Sequence, residues 1–522
     1  MKEIEIAAAE RELELVFALA GPVGSDLQEV SRTLADALKK SEYLHVEEIS
    51  VTSLIRQIAA RQELTNADGT PIELASTPEE RRIASYMDGG NALRRLTANP
   101  AAVAAAAIAE VRGRRRLAGG VPSRRAYILR SLKRPEEAHL LRRVYGAGFF
   151  LIGANVSRPA RVESLARRIA RSHNETPASP NFAQHIAHAE ALAKRDEDEA
   201  ADEYGQRLRD VYQLCDLFVS PAGTAPAPAG APSMFDHIDR FVRLILGDLG
   251  ETPYAEEQFM FHAHAASLAS GALGRQVGAV LVSSTRELLG IGWNDVPKGG
   301  GGLYRAGEEY DRRDIHEDRD SVNVHADQII NEMLQMAREA GWPQVENAQE
   351  VFRKSRVMSL LEFGRTTHAE VEAVLAAARI GVTPRDGTLY TTTFPCHQCA
   401  RVLVTAGIRR VVYIEPYPKS RALELHRDAI FGYDDAAAPH PQAVRFEPFV
   451  GIGPHRYVEL FSMTTSAGVP RDRKTKVSGE RIRWDAKTSA PKVAMLPLSY
   501  LDLEAKALYQ LKKFLGARRN RR

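Results

Sequence analysis

Cys396 and Cys399, in the stretch FPCHQCARVL, are two of only three cysteines in a chain of 522 residues. Thiolates three positions apart suit a borderline cation, but two of them cannot close a tetrahedral site. Further donors must come from elsewhere in the chain. The tripeptide His-Ala-Glu occurs at His188 and at His368, and His-Ala-Asp begins at His325. His188 lies in the charged helical run HIAHAEALAKRDEDEA, which a solvated face explains, so no chemistry is assigned to it. His325 heads VHADQIINEMLQM and offers an aspartate, one methylene shorter than glutamate. His368 begins a helix, and one helix and one strand later Pro395-Cys396-His397-Gln398-Cys399 opens another. That order predicts two helix amino termini at one edge of a sheet, where positive helix ends favour thiolates. His368, Cys396 and Cys399 are therefore the expected metal donors, with a fourth position open to water. Glu370, two residues past His368, is placed to carry protons beside that water. His397 reads as a helix-start residue rather than a ligand.

Stepping outward, the segment EEQFMFHAHAASLASGAL has helical spacing, and VGAVLVSS and ELLGIGWN read as a strand hairpin. A long charged and glycine-rich segment from Pro297 to about Arg365 follows, expected to form a substrate or regulatory loop or a plain surface insertion. Then come the helix THAEVEAVLAAARIG, the strand TLYTTTF, the helix CARVLVTAG, the strand RRVVYIEPY, the helix SRALELHRDAI and a last strand in AVRFEPFV. Upstream, ELELVFALAGPVGSDLQEVSRTLADAL predicts a strand, a glycine turn and a helix. RAYILRSL and GFFLIGANVSRPARVESLARRIAR repeat that alternation, the mark of a doubly wound parallel α/β unit. The expected organisation is a first domain over 1–220, a Pro/Ala/Gly-rich linker over 221–233, a second domain over 234–465 and a basic tail over 466–522, ordered in part around PLSYLDLEAKALYQLKKFL.

With 44% hydrophobic residues, both domains can bury a core. Cys215, in VYQLCDLFV, reads as a buried free thiol, which excludes a secreted disulfide scaffold. The amino terminus is too charged for a signal peptide, and AAVAAAAIAEV is too short to span a bilayer, so the chain reads as soluble and cytoplasmic, with no membrane partner. A net charge of +3 does not by itself imply nucleic-acid binding.

His-x-Glu joined to Pro-Cys-x-x-Cys is the pattern of zinc deaminases. From Glu256 to Met463, GRQVGAVLV, GIGWNDVP, HAE and TLYTTTFPCHQCARVLVTAGIRRVVYIEPY follow in order the pattern of the cytidine and deoxycytidylate deaminases, which the chain resembles here. Transfer-RNA adenosine deaminases usually continue with Met-Cys-Ala-Gly after the Pro-Cys, whereas this chain has His-Gln-Cys-Ala-Arg. The resemblance implies Zn2+ on His368, Cys396 and Cys399, Glu370 as the catalytic proton carrier, and a free cytosine nucleotide as substrate. It further implies that Asn294 contacts the sugar and that Arg275 and Gln276 lie near the nucleotide. Lys419 and Ser420 either meet phosphate or cap a helix. Over nearly its whole length, including LRSLKRPEEAHLLRRVYGAGFFLIGANVSRPARVESL and VGIGPHRYVELFS, the chain resembles the bacterial anti-phage dCTP deaminases. The fold implied is α/β: an amino-terminal P-loop NTPase/kinase-like parallel-sheet domain, then a three-layer α/β/α cytidine deaminase fold. The function implied is zinc-dependent deamination of dCTP, and also dCMP, to the uracil nucleotide, in a homo-oligomer restrained by a regulatory nucleotide or a small RNA.

A working phosphate loop places lysine and a hydroxyl after its glycines. Here GPVGSDLQ puts Asp26, Leu27 and Gln28 there, and YILRSL carries Arg130 where an acidic metal holder belongs. Phosphoryl transfer is not expected. Gly21, Gly24 and Ser25 either bind a nucleotide through backbone amides or simply make a tight turn. The rival for the whole chain is an RNA or single-stranded DNA cytosine-editing or binding protein, suggested by the basic runs RGRRRLAGGVPSRR and ARRNRR. Its aromatic content of 7%, with no aromatic-basic cluster, argues against a base-stacking surface.

Overall fold

The computed structural model describes residues 13–516, apart from 121–123, 198, 200–201, 222–231, 318–320, 344–346, 356–362, 418–419, 433–434, 436, 466–467, 488, 490 and 493–496. The chain forms two units, Met1–Tyr254 with Val450–Arg522, and Ala255–Phe449. Among the described residues no helix is long and apolar enough to cross a membrane.

In the first unit the strands are β1 (Leu15–Ala20), β2 (His45–Ser50), β3 (Arg125–Arg130), β4 (Phe149–Ala154) and β5 (Leu217–Val219). They pair in parallel in the order β2-β3-β1-β4-β5, and Gly451–Ile452 adds antiparallel to β5. LVFALA and FFLIGA, the sequences of β1 and β4, are buried throughout, as strands covered on both faces must be. The Ala-rich segment is the buried helix Ala102–Leu117.

The unit boundaries differ from the sequence expectation for a physical reason. Helix Met234–Ile245 and the described residues from Val450 onward belong to the first unit. Asp216, just before β5, accepts hydrogen bonds from Arg456 and His455 at 2.7 and 2.8 Å, from Arg142 at 2.9 Å and from the Leu151 amide at 2.6 Å. Glu504, in the tail helix Pro497–Gly516, makes a bidentate pair with Arg115 at 2.8 Å, and Arg115 also meets Glu14. Glu504 and its part of the tail helix therefore belong to this unit's interior. Cys215 is buried, as expected, but precedes β5 rather than lying in it.

In the second unit the strands are β6 (Gly278–Val282), β7 (Leu288–Trp293), β8 (Thr388–Thr393), β9 (Arg410–Glu415), β10 (Ile430–Gly432) and β11 (Val444–Pro448). The order is β10-β11-β9-β8-β6-β7. β6 is antiparallel to both β7 and β8, and β8, β9, β11 and β10 run parallel. Helices cover both faces, and glycines set how closely they approach. A Cβ on Gly278 would stand 1.9 Å from the Ala263 carbonyl oxygen of helix Ala255–Ser267. On the other face, Cβ atoms on Gly290 and Gly292 would stand 2.1 and 2.2 Å from the Ala373 and Ala369 oxygens of helix Ala369–Arg379. The sequence GIGW thus lets that helix lie directly on β7. The long segment after Pro297 contains helices Ser321–Glu339 and Ala348–Arg353, of which only Ala326 and Ile330 are buried. SRALELHRDAI forms only one helical turn, Ala422–Leu425, before β10.

Candidate metal centre

His368 is the residue that caps helix Ala369–Arg379, and its position is fixed from behind. Thr367 pairs with Asp295 through backbone hydrogen bonds of 2.9 and 3.2 Å, and the Asp295 carboxylate accepts from the Gly271 and Val296 amides at 2.9 Å each. Cys396 caps helix His397–Thr405, with its sulfur accepting from the Cys399 amide at 3.5 Å. Ser420 Oγ donates to the Pro395 carbonyl at 2.7 Å and so steadies the turn before Cys396. The two helix starts bring three donors together. His368 Nδ1 is 3.2 Å from Cys399 Sγ and 3.4 Å from Cys396 Sγ, and the two sulfurs are 3.6 Å apart.

Bond lengths decide whether this trio fits a cation. Tetrahedral zinc, with Zn–S of about 2.3 Å and Zn–N of about 2.05 Å, holds sulfurs about 3.8 Å apart and sulfur and nitrogen about 3.5 Å apart. The observed edges are within a few tenths of an ångström of these values. One imidazole and two thiolates are also the donor classes zinc prefers. The His368–Cys396–Cys399 group fits Zn2+. His325 and His188 take no part: His325 bonds Gln328 and lies tilted against the Phe363 ring, and His188 belongs to the first unit.

The protonation of the trio is already skewed. Cys396 is drawn down to about 4 by the hydrogen bond with Cys399, against burial and with help from His368. The same bond and burial push Cys399 well above the usual thiol range. The bond to Cys396 raises His368 to about 9, against burial and with support from Glu370. These shared protons are the ones a cation displaces when it binds. Glu370 is buried, with Oε2 3.6 Å from Cys399 Sγ. Burial raises its pKa, which His368 only partly offsets. A carboxyl group that resists ionisation beside a metal-donor set is suited to hold and return a proton.

The sequence model for the cytidine and deoxycytidylate deaminase zinc-binding region matches residues 253–415. The second unit carries a cytidine/deoxycytidylate deaminase region. The deoxycytidylate deaminase of Enterobacteria phage T2 is 43% identical over 54 residues, which is 10% of this chain and 29% of that protein. ComE operon protein 2 of Bacillus subtilis (strain 168) is 46% identical over 54 residues, 10% and 28% of the two chains. Human deoxycytidylate deaminase is 23% identical over 158 residues, 30% of this chain and 63% of that one. The chain thus spans under a third of the length of the phage and Bacillus relatives. The solved dCMP deaminase of cyanophage S-TIM5, in complex with dCMP and dUMP, is 18% identical over 38% of this chain and 99% of that one. Its TM-score of 0.23 is too low to carry an argument.

Within the deaminase region, Asn294 uses both ends of its amide on backbone: Oδ1 accepts from the Val277 amide and Nδ2 donates to the Arg275 carbonyl, each at 2.7 Å. It holds the segment Arg275–Val277, just before β6, in place. Gln276 Nε2 donates to the Ser270 carbonyl at 3.1 Å, and the Arg275 guanidinium pairs with Glu415 at the end of β9. Lys419 lies outside the described residues. Asp295 and the two glycines of β7 are positioning residues that motif reading passed over. Their signal was local: a Gly-x-Gly alternation in a strand, and an aspartate at that strand's end.

Gly21, Gly24 and Ser25 do stand on the turn between β1 and helix Leu27–Lys40, but the turn is closed from within. Gly24 has φ +94°, and a Cβ there would meet the Arg161 carbonyl oxygen at 2.4 Å. The Val23 amide donates to Asp196 at 2.7 Å, Ser25 to the Pro22 carbonyl at 3.0 Å and Leu27 to the Ser25 carbonyl at 3.1 Å. Asp26 Oδ1 takes the Gln28 and Glu29 amides at 3.1 and 2.9 Å. Of the amides expected to cradle phosphate, that of Ser25 is engaged by the Pro22 carbonyl, and the neighbouring Val23, Leu27, Gln28 and Glu29 amides are engaged by the protein's own carboxylates and carbonyls. Arg130 ends β3, as the sequence places it, and pairs with Glu48 at 3.3 Å.

Proposed function

We propose that the deaminase region hydrolyses the 4-amino group of free deoxycytidine nucleotides, dCTP and also dCMP, releasing ammonia and the deoxyuridine nucleotide. In this reading the reaction drains the dCTP pool on which phage DNA synthesis depends, and the amino-terminal unit, a degenerate kinase-like domain, regulates it. The observation that carries the chemistry is the buried Glu370 carboxyl beside three donors at zinc spacing.

A zinc ion on His368, Cys396 and Cys399 supplies a Lewis acid that brings the pKa of a water to roughly 7. Glu370 does the proton work: it accepts a proton from the attacking water and delivers it to cytosine N3, then takes the proton of the new C4 hydroxyl and passes it to the 4-amino group as the C–N bond breaks. Water and cytosine become ammonia and uracil, with no other reactant. Asp295, through Thr367, and Ser420, through Pro395, hold the two helix starts in register. A homo-oligomer restrained by a nucleotide or a small RNA belongs to the same reading.

The test is to incubate zinc-loaded protein and its Glu370→Ala variant with dCTP, dCMP, CTP and a cytosine-containing oligonucleotide, and to separate the products by chromatography. Uracil products from dCTP or dCMP with wild type only are expected, and the ratio ranks the two substrates. Conversion of the oligonucleotide alone would replace the nucleotide-pool reading with nucleic-acid editing. For the defence role, dCTP should fall in infected cells expressing wild type and stay level with Glu370→Ala.

A further inference from the structure

The segment from Pro297 to Arg365 separates β7 from the helix that His368 caps, and its described part falls into two halves. The later half, helices Ser321–Glu339 and Ala348–Arg353, is mostly exposed. The earlier half is folded down beside the end of β7: Leu303 is buried, bridges to Pro297, and is followed by a Tyr304 amide that donates to the Val296 carbonyl at 3.2 Å. Among the described residues of the segment, Arg313 and Asp314 are the only charged side chains that are buried.

Buried charges need close partners to offset the loss of water, and the partners of this pair are informative. Asp314 accepts from Arg365 through Oδ1 and from Thr366 Oγ1 through Oδ2, each at 3.2 Å. Arg365 also donates to the Arg312 carbonyl at 3.0 Å, which closes the neck through which the segment leaves and returns. Arg313 forks onto Asp311 at 2.7–3.0 Å. Its guanidinium shares the space beside Gly271 with the Asp295 carboxylate: a Cβ there would stand 3.3 Å from the first and 3.4 Å from the second. Asp295 in turn is paired through its backbone with Thr367. Thr366 and Thr367 are the two residues that precede His368. The neck therefore bears on both of them, on Thr366 through Asp314 and on Thr367 through Asp295.

We propose that Asp314 is a positioning residue of the metal centre, which holds Thr366 and so fixes the direction from which the chain delivers the His368 imidazole. Zinc bond lengths allow little error, and a donor must be held within about 0.5 Å of its place. The first half of the segment is then a brace for the metal, and only the second half is a surface insertion. Zinc alone is involved, so this holds whether or not cytosine nucleotides are the substrate.

The test compares the full chain with Asp314→Ala, Asp314→Asn and Thr366→Val by Zn2+ competition against a chromophoric chelator, by the absorption bands of the Co2+-substituted protein and by denaturant titration. Asp314→Ala and Thr366→Val should each weaken zinc about tenfold or more. The double variant should be no weaker than Asp314→Ala, because both changes break one hydrogen bond. Asp314→Asn keeps an acceptor for Thr366 and should recover most of the affinity. The Co2+ bands should move in Asp314→Ala and Thr366→Val but not in Arg353→Met, which cuts the pair with Asp327 between the two later helices. Lower stability with zinc affinity and Co2+ bands unmoved would make Asp314 a mere anchor of the segment and overturn the proposal, as would effects of the two substitutions that add in full. Should Asp314→Ala fail to fold, Thr366→Val decides alone, and zinc held as tightly as in wild type overturns it.

Discussion

Each unit has a strand that ends in a turn and enters a helix whose capping side chain takes the first free amides. After β1 the cap is Asp26, which accepts from Gln28 and Glu29; after β8 it is Cys396, which accepts from Cys399. The first cap ends the matter, because a carboxylate neutralises the helix start that an anion would have used. The second leaves its sulfur facing an imidazole and a second thiol brought from other positions. The same backbone device thus closes one turn and opens the other. What a strand-to-helix turn can bind depends on whether its cap keeps lone pairs for a third party, more than on its glycines.

The largest effects should come from removing the open cap. Cys396→Ala should cut bound zinc, read by mass spectrometry of the metal, from one ion per chain to nearly none, and abolish deamination with it. Glu370→Ala should keep the zinc and lower turnover by about 10²–10⁴-fold. Full zinc in Cys396→Ala would break the contrast between the two turns.

The helix that brings His368 depends on β7 lacking side chains. Gly292→Val places carbon where the Ala369 oxygen would be 2.2 Å away and the Ala373 amide 2.5 Å away. Backbone cannot yield as a side chain would, so a loss of at least about 3 kcal/mol is expected, with weakened zinc retention. Denaturant titration and metal content check both. An unchanged zinc stoichiometry would show that His368 is held by the Asp295–Thr367 bridge alone.

Two buried carboxyl groups extend the comparison. Burial acts to raise Asp216, but Arg456, His455 and Arg142 overcome it and hold the group well below the usual carboxylate range. Glu370 has no such guanidinium set and is raised. Asp216→Asn, which leaves buried Arg456 with Glu459 as its one remaining carboxylate partner among the described residues, should cost about 3–5 kcal/mol. A depressed folded pKa stabilises above the unfolded value of about 3.9 and is lost as pH falls through the folded one. Wild type should therefore lose stability below pH about 4 more steeply than Asp216→Asn. Glu370→Gln, in contrast, should leave unfolding stability unchanged or higher.

The metal centre was legible because few residue types bind zinc and their spacing is constrained by helix starts; the order of predicted helices and strands singled out His368 from the copies at His188 and His325. The strands β1, β3, β4 and β9 were legible as apolar runs, and β8, TLYTTT, as a β-branched one. The unit boundaries were not, because Asp216 reaches His455 and Arg456, and Arg115 reaches Glu504, across hundreds of intervening positions that carry no local mark. Helix Ser321–Glu339 was missed for another reason: Ala326, Ile330, Met333 and Ala337 recur at helical spacing, but they lie in a segment read as a loop for its charge and glycine, and only Ala326 and Ile330 are buried. Asn294 shows a third limit, since nothing in the residue type marks the backbone clasp it makes.

The smallest effect tests the closed turn itself. Asp26→Ala removes a cap from helix Leu27–Lys40 and should cost about 1 kcal/mol in denaturant titration. It also frees the Gln28 and Glu29 amides at a helix start that the carboxylate had neutralised. Millimolar inorganic phosphate should then recover more stability in the variant than in wild type, since a ligand that binds only the folded state stabilises by mass action. Equal recovery in both would mean that the carboxylate was never what kept anions from the turn, and the difference between the two caps would have to lie in the geometry of the loops. Cys396→Ala should show no such rescue, because its missing group served a cation.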